Sequence, residues 1–268
     1  MFENSKNFTF NGVSNKDMGV LLISSSSDKK ILGYETTLNQ ENYSKKAYLK
    51  PIYPSQIRNI SFNLEITFVD KFENVIMPTR EHKAKVLNWL LPKDDMFKAF
   101  VPEENGMEYY IKITSINEQY YTNGLHLFIS CTMGTPYAFI PQNIFSINLS
   151  RLENNKETIY FENKSDVNVK YSPIIKFEGS PYLDKDQTTQ LKVTNNSTGK
   201  SFVVKNIKPN EMLTINCARK FINSNIDEEF KLKDMEGDFL ELLYGYNQLT
   251  LEGNGDLSII THFPMLML

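Results

Sequence analysis

The chain has 268 residues, of which 41% are hydrophobic and 23% charged, and a formal net charge of −3. That is enough apolar material to bury a core, which excludes an intrinsically disordered chain. The acidic balance lacks the basic footprint of a non-specific nucleic-acid binder, and no contiguous basic run exceeds a pair such as Lys29-Lys30 or Lys45-Lys46. No uninterrupted apolar stretch nears the ~20 residues of a membrane-spanning helix. The opening MFENSKNFTF has no apolar segment of the secretory-signal kind. Cys131 and Cys217 stand far apart and read as small buried thiols rather than a disulfide.

Phe8–Phe10 is apolar, polar, apolar, and the Asn11-Gly12 that follows favours the positive φ of a tight hairpin turn. Met18–Ile23 is a continuous apolar run of strand length with Gly19 inside it. Ser24–Asp28 reads as a polar loop and Ile31–Leu38 as a further strand. Tyr43–Pro54 mixes three tyrosines, three lysines and two prolines. Pro51 and Pro54 forbid a central strand, so the segment is an exposed arm or a plain connector.

Ile60, Phe62, Leu64, Ile66 and Phe68 alternate with Ser61, Asn63, Glu65 and Thr67. A helix cannot segregate a period of two; a strand with one buried face can. Leu125, Leu127, Ile129, Cys131 and Met133 repeat the pattern, with Phe128 breaking the polar set. The two runs predict a mostly antiparallel sheet with one face in a core. Asn123-Gly124 is a second turn signal and joins Tyr109–Ile116 to Leu125–Met133 as a hairpin. Between the two runs lies one helix. Thr79 is its N-cap, Glu81 suits the positive first turn, and Pro92 stops it. Ala84, Val86, Leu87, Leu90 and Leu91 recur at helical spacing. Trp89, the single tryptophan, is expected to pin this helix to the sheet.

Gly134-Thr135-Pro136 interrupts the pattern, so the domains are expected at 1–135 and 136–268. Short strands follow near Ile144–Leu149, Thr158–Glu162, Asn168–Phe177, Gln190–Asn195, Ser201–Val204 and Met212–Ile215. Further ones lie near Phe239–Leu243, Gln248–Leu251 and Leu257–Phe263. Many short strands with turn residues between them predict a β-sandwich. Glu228–Asp234 fits a charged helical turn and a hairpin equally.

Catalytic constellations are missing from this sequence. His82, His126 and His262 have no metal-ligand spacing and read as solvated surface residues; no C-x-x-C exists. Asp184-Lys185-Asp186 opens like a calcium loop but lacks the glycine and the closing glutamate. Asp94-Asp95, Glu103-Glu104 and Asp227-Glu228-Glu229 sit in polar surroundings, whereas a general acid needs partial burial. There is no G-x-S-x-G elbow and no phosphate-binding glycine loop. Neither an enzyme, a metal nor a cofactor is expected.

The run FTFNGVSNKDMGVLLIS (Phe8–Ser24) resembles the opening of the distal tail proteins of siphophages that infect Gram-positive bacteria. The matching places are Phe8, Phe10, Asn11, Gly12, Ser14, Asp17, Gly19 and Val20–Ile23. CTMGTPYAF (Cys131–Phe139) resembles that family's Pro-Tyr element between domains, and the helix ending in Trp89-Leu90 sits where the family has one. LLYGYNQLTLEGNGDLSIITHFP (Leu242–Pro264) resembles its closing hairpin through Gly245, Asn247, Leu249, Gly253 and Ile259. The four motifs span nearly the whole chain in the family's order.

The resemblance implies a mainly β protein: an N-terminal, barrel- or sandwich-like ring-forming domain with one helix, then a galectin-like β-sandwich. It implies a structural role as a homo-hexameric hub at the distal end of the tail tube, singly or as two stacked rings. The implied partners are the tail tube protein, the tail tip or tail-associated lysin, and receptor-binding proteins. Neither membrane insertion nor sequence-specific nucleic-acid binding is implied. The protein is then expected in the virion tail tip, after synthesis in the host bacterial cytoplasm. A closed ring needs head-to-tail contacts, and Tyr43, Tyr48, Pro51, Tyr53 and Pro54 are the expected clasp on the next subunit. The rival reading is a stand-alone carbohydrate-binding two-domain β protein. Against it, the only Trp lies in the first domain, and the second has no His-x-Asn-x-Arg run of the galectin type.

Overall fold

The computed structural model describes residues 6–26, 36–37, 56–57, 61–91, 93–94, 96–135, 137–166, 170–184, 187–226 and 231–266. The chain is mainly β and forms two compact units, divided between Phe139 and Ile140, with Leu266 counted to the first.

Among the described residues the first unit is built on an antiparallel sheet of seven strands: β1 (Phe8–Phe10), β2 (Val13–Ser14), β3 (Val20–Ser26), β4 (Ser61–Phe68), β5 (Lys98–Pro102), β6 (Tyr109–Tyr121) and β7 (Gly124–Met133). Their order is β2-β1-β5-β6-β7-β4-β3. The alternating runs pair apolar to apolar, with Phe62 opposite Cys131, Leu64 opposite Ile129 and Ile66 opposite Leu127. Asn11 and Gly12 take φ of 51° and 76°, which closes the β1–β2 hairpin. The β6–β7 turn is Thr122-Asn123 rather than Asn123-Gly124, since Tyr121 faces Gly124 within the ladder. A side chain on Gly124 would run into Val75, so this glycine serves a close approach rather than a turn.

The two ends of the sheet are drawn together. The N–H of Leu22 on β3 donates to the Lys6 carbonyl just before β1 at 3.1 Å. Asn15, wholly buried, accepts from the Phe8 N–H at 2.9 Å and donates to the carbonyls of Val20 at 2.6 Å and Lys6 at 3.4 Å. Helix α1 (Arg80–Leu90) is capped as expected, the Thr79 hydroxyl accepting from the His82 N–H at 3.2 Å. It buries Val86, Trp89 and Leu90, while Ala84 and Leu91, expected on the buried stripe, are exposed. Trp89 sets this rotation. Its indole N–H donates to the Phe10 carbonyl at 3.0 Å and its ring stacks on Phe8 at 5.9 Å. Of the strand expected at Ile31–Leu38, Thr36–Thr37 is strand and pairs with Gln56–Ile57.

The second unit is a sandwich. Its strands are β8 (Asn143–Asn148), β9 (Lys156–Asn163), β10 (Ile174–Gly179), β11 (Thr189–Asn195), β12 (Lys200–Ile207), β13 (Met212–Asn216), β14 (Phe221–Ser224), β15 (Met235–Gly237), β16 (Gly245–Gly253) and β17 (Gly255–Thr261). One antiparallel sheet runs β8-β17-β10-β13-β14 and the other β9-β16-β11-β12-β15. Phe177, Leu213 and Ile259 from the first share one core with Phe202, Val193 and Leu251 from the second. Phe239–Leu243 is not a strand; Leu242 makes an isolated bridge to Tyr171. Lys231–Asp234 is a 3-10 turn.

Candidate interaction surfaces

Two of the three histidines and both cysteines are used inside the units. His82 is half-buried against the edge of Phe68, and its Nε2 donates to the Met18 carbonyl at 2.7 Å. His126 lies 2.8 Å from the Glu65 carboxylate, under the ring of Tyr121. The solvated surface role expected for these two histidines is thus wrong: each fills a defined contact between elements. Cys131 and Cys217 are free and buried, and burial pushes both thiols up to about 12.

The second unit holds a charged pair that sequence reasoning missed. Glu211 and Lys231 are both buried, with Nζ 3.0 Å from Oε1. Lys231 also donates to the Asn206 carbonyl at 3.1 Å, and Glu211 accepts from the Lys208 N–H at 2.8 Å and the Ser224 hydroxyl at 2.6 Å. Burial alone would raise the Glu211 carboxyl, but the Lys208 N–H, the Ser224 hydroxyl and the Lys231 ammonium outweigh it and hold it below its ordinary value. A carboxylate so fully bonded is a clamp on the Lys208–Glu211 turn, not a proton donor. Among the described residues, no three of His, Cys, Asp and Glu converge as metal ligands.

What the units offer outward is contact surface. In the first unit Phe97 is exposed, and the exposed Leu91 and Met96 line a pocket of about 170 Å³ together with Phe10, Ile111 and Ile113, edged by Asp94, Lys98 and Lys112. In the second, Tyr160 and Tyr246 stand on the outer face of β9 and β16, 74% and 71% exposed. Beside them Glu252 bridges Lys156 and Lys192, a mixed polar and aromatic face. No helix among the described residues is long and apolar enough to cross a membrane. Tyr43, Tyr48, Pro51, Tyr53 and Pro54 lie outside the described residues, as do Asp95, Lys185, Asp186 and Asp227–Glu229. Asp94 pairs with Lys98 at 2.6 Å, and Glu103 lies 4.0 Å from Lys16.

The residues that carried the resemblance have structural reasons here. Gly19 has φ of 63°, and a side chain on it would press on the His82 ring. Asn247, wholly buried, accepts from the Leu243 N–H at 2.8 Å and donates to the carbonyls of Leu243 and Gly245 at 2.8 and 3.0 Å.

Comparison with known proteins agrees with these motifs. The profile of the family described as phage tail protein N-terminal domain matches residues 3–135. That of the siphovirus-type tail component, C-terminal domain, matches residues 166–263. A search of curated proteins returned no match. Among solved structures the chain is similar to the Dit protein (gp 19.1) of phage SPP1, at 10% identity and a TM-score of 0.60, covering 96% of this chain and 98% of that one. It is also similar to a chain of the phage P2 baseplate in its activated conformation with Ca, at 12% identity and a TM-score of 0.47, covering 95% and 97%. Matched by tail-family profiles in both of its units and folded like SPP1 Dit along its length, the chain belongs to the distal tail protein family of siphophages and is a structural, non-enzymatic component of a phage tail.

Proposed function

We propose that this chain is the hub at the distal end of a tail tube: six copies close into a ring that joins the tube to the tail tip and to receptor-binding proteins. The observation that carries this reading is the end-to-end likeness to SPP1 Dit, a protein described as a paradigm of the hub adsorption apparatus in phages infecting Gram-positive bacteria. In this reading residues 1–135 make the ring and residues 136–268 project from it. The partners are the tube protein, the tip or tail-associated lysin, and receptor-binding proteins. The protein is made in the bacterial cytoplasm and ends in the virion tail tip.

The contacts of such a ring are head-to-tail and must close on themselves. We assign the clasp to Tyr43–Pro54, whose tyrosines, lysines and prolines suit an amphipathic contact. The first test is the mass of the full chain by light scattering, with negative-stain images beside it. A particle six times the 31.0 kDa chain, with a central hole, is expected. A monomer that responds to cell-wall saccharides through its second unit would overturn the hub in favour of a lone carbohydrate-binding protein. Deleting residues 43–54 should leave both units folded and abolish rings; rings of normal size after deletion would remove the clasp.

A further inference from the structure

We propose that the open edge of β9 pairs, antiparallel, with the same edge of a second copy of this chain. β9 (Lys156–Asn163) ends its sheet, and among the described residues its ladder runs to β16 on one side alone. An open strand edge offers a row of unpaired N–H and C=O groups, which folded proteins usually shorten, break with proline or bulge, or cover. The far ends of the two sheets are blunted in this way, β14 having four residues and β15 three. β9 has eight, contains no proline, and pairs with β16 without a register break.

The strand carries its own complement. When two identical strands pair antiparallel, inner and outer faces stay aligned only if the two-fold axis passes through a residue. An axis at Ile159 sets Lys156 against Glu162, Thr158 against Tyr160, Glu157 against Phe161, and Ile159 against itself. Symmetry makes the first three pairs twice. On the outer face Lys156, Thr158 and Tyr160 are exposed and Glu162 is half-buried. There the pairing sets cation against carboxylate and ring against β-branched side chain, both favourable cross-strand neighbours. On the inner face Ile159 is half-buried at the margin of the core, and its copy completes the cover. Glu157, the one inner carboxylate, covers the Thr158 N–H at 3.2 Å in the single chain and must give that edge donor up to the second strand when the edges pair. Neighbouring registers lose this match. An axis at Tyr160 brings Lys156 against Lys164, and one at Thr158 brings Lys156 against Tyr160 and leaves Glu162 opposite Asn154. The other long edge, β8, reads NIFSIN and has no charged residue to set a register.

The pairing involves the second unit alone and does not depend on the ring. The experiment is sedimentation velocity of the full chain over a range of concentrations, in low and moderate salt. Wild-type protein is expected to show a species of twice the mass of its basic particle, whether that particle is one chain or a ring. Glu162→Lys places Lys against Lys and should weaken the doubling roughly tenfold; Lys156→Glu should do the same. The double variant K156E/E162K restores opposite charges and should restore the doubling. Glu162→Lys is the cleaner single variant, because Lys156 also bridges Glu252 in its own chain at 3.1 Å. Thermal melts followed by circular dichroism confirm that each variant is folded. Absence of a doubled species in the wild type, a doubling indifferent to either single variant, or a loss that the double variant does not repair would each overturn the pairing. Rings that never double overturn this inference and leave the hub standing; doubling without rings does the reverse.

Discussion

Asn15 and Glu211 are ordinary polar residues in sequence and wholly buried in the fold. Nothing local in the sequence tells that the Asn15 amide will bridge segments on either side of it. Asn15→Ala leaves the Phe8 N–H and the Val20 carbonyl unpaired in the interior, at about 1–3 kcal/mol each. Urea unfolding read by the fluorescence of Trp89 should show that loss as a lower midpoint. Glu211 and Lys231 stand 20 positions apart, and their pairing exists only in the folded chain, where Lys231 also reaches Asn206 and Asp234. Lys231→Met removes one partner of a buried pair and should cost about 3–5 kcal/mol. The folded-state carboxyl of Glu211 is depressed, so its stabilisation is complete above the ordinary value of 4.5 and drains away as pH falls through the lower folded value. Melting temperature measured against pH should therefore drop on the acid side, and Glu211→Gln should flatten that drop while lowering stability at neutral pH. Cys131 and Cys217, with thiols pushed up to about 12, should titrate as no free thiols in the native protein at pH 8 and as two in denaturant.

Elements were legible wherever a period ran long enough to be counted. The strands around Phe62–Phe68 and Leu125–Met133, the Asn11-Gly12 turn and the Thr79 cap all stand where the pattern put them. The strands at Lys98–Pro102, Phe221–Ser224 and Met235–Gly237 escaped because three to five residues cannot display a period. What makes them strands is a partner elsewhere in the chain, such as β1 for Lys98–Pro102. The helix was legible as a helix but its buried side was not. Spacing alone favoured Ala84 and Leu91, whereas the reach of the Trp89 N–H to Phe10 turned the face toward Val86, Trp89 and Leu90. Trp89→Phe keeps a ring on Phe8 but removes the hydrogen bond to the Phe10 carbonyl, and should cost about 1 kcal/mol in the first unit while leaving the sandwich untouched. Differential scanning calorimetry of the full chain, which resolves two units as two transitions where they unfold separately, reads this as a shift in one of them.

At the scale of the whole molecule the family was legible at 10% identity because its marks sit where the backbone demands a particular residue. Gly12 and Gly19 take positive φ, and Asn247 bonds three backbone groups at once. The outer surfaces, the exposed Tyr160 and Tyr246 among them, meet no such backbone demand and carry no such mark in one sequence. The order of pairing has one more consequence. β8 and β9 are the first strands of the sandwich to be made, yet they pair with β17 and β16, the last. A nascent chain that has reached residue 240 holds both early strands without their neighbours and cannot close the core. The sandwich therefore folds late, as the chain is finished. Until then β9 is open along both edges, and adjacent ribosomes on one message hold matching edges close to each other. Arrest-peptide measurements on a series of truncations should show one late force peak for the sandwich, after a separate earlier one for the first unit.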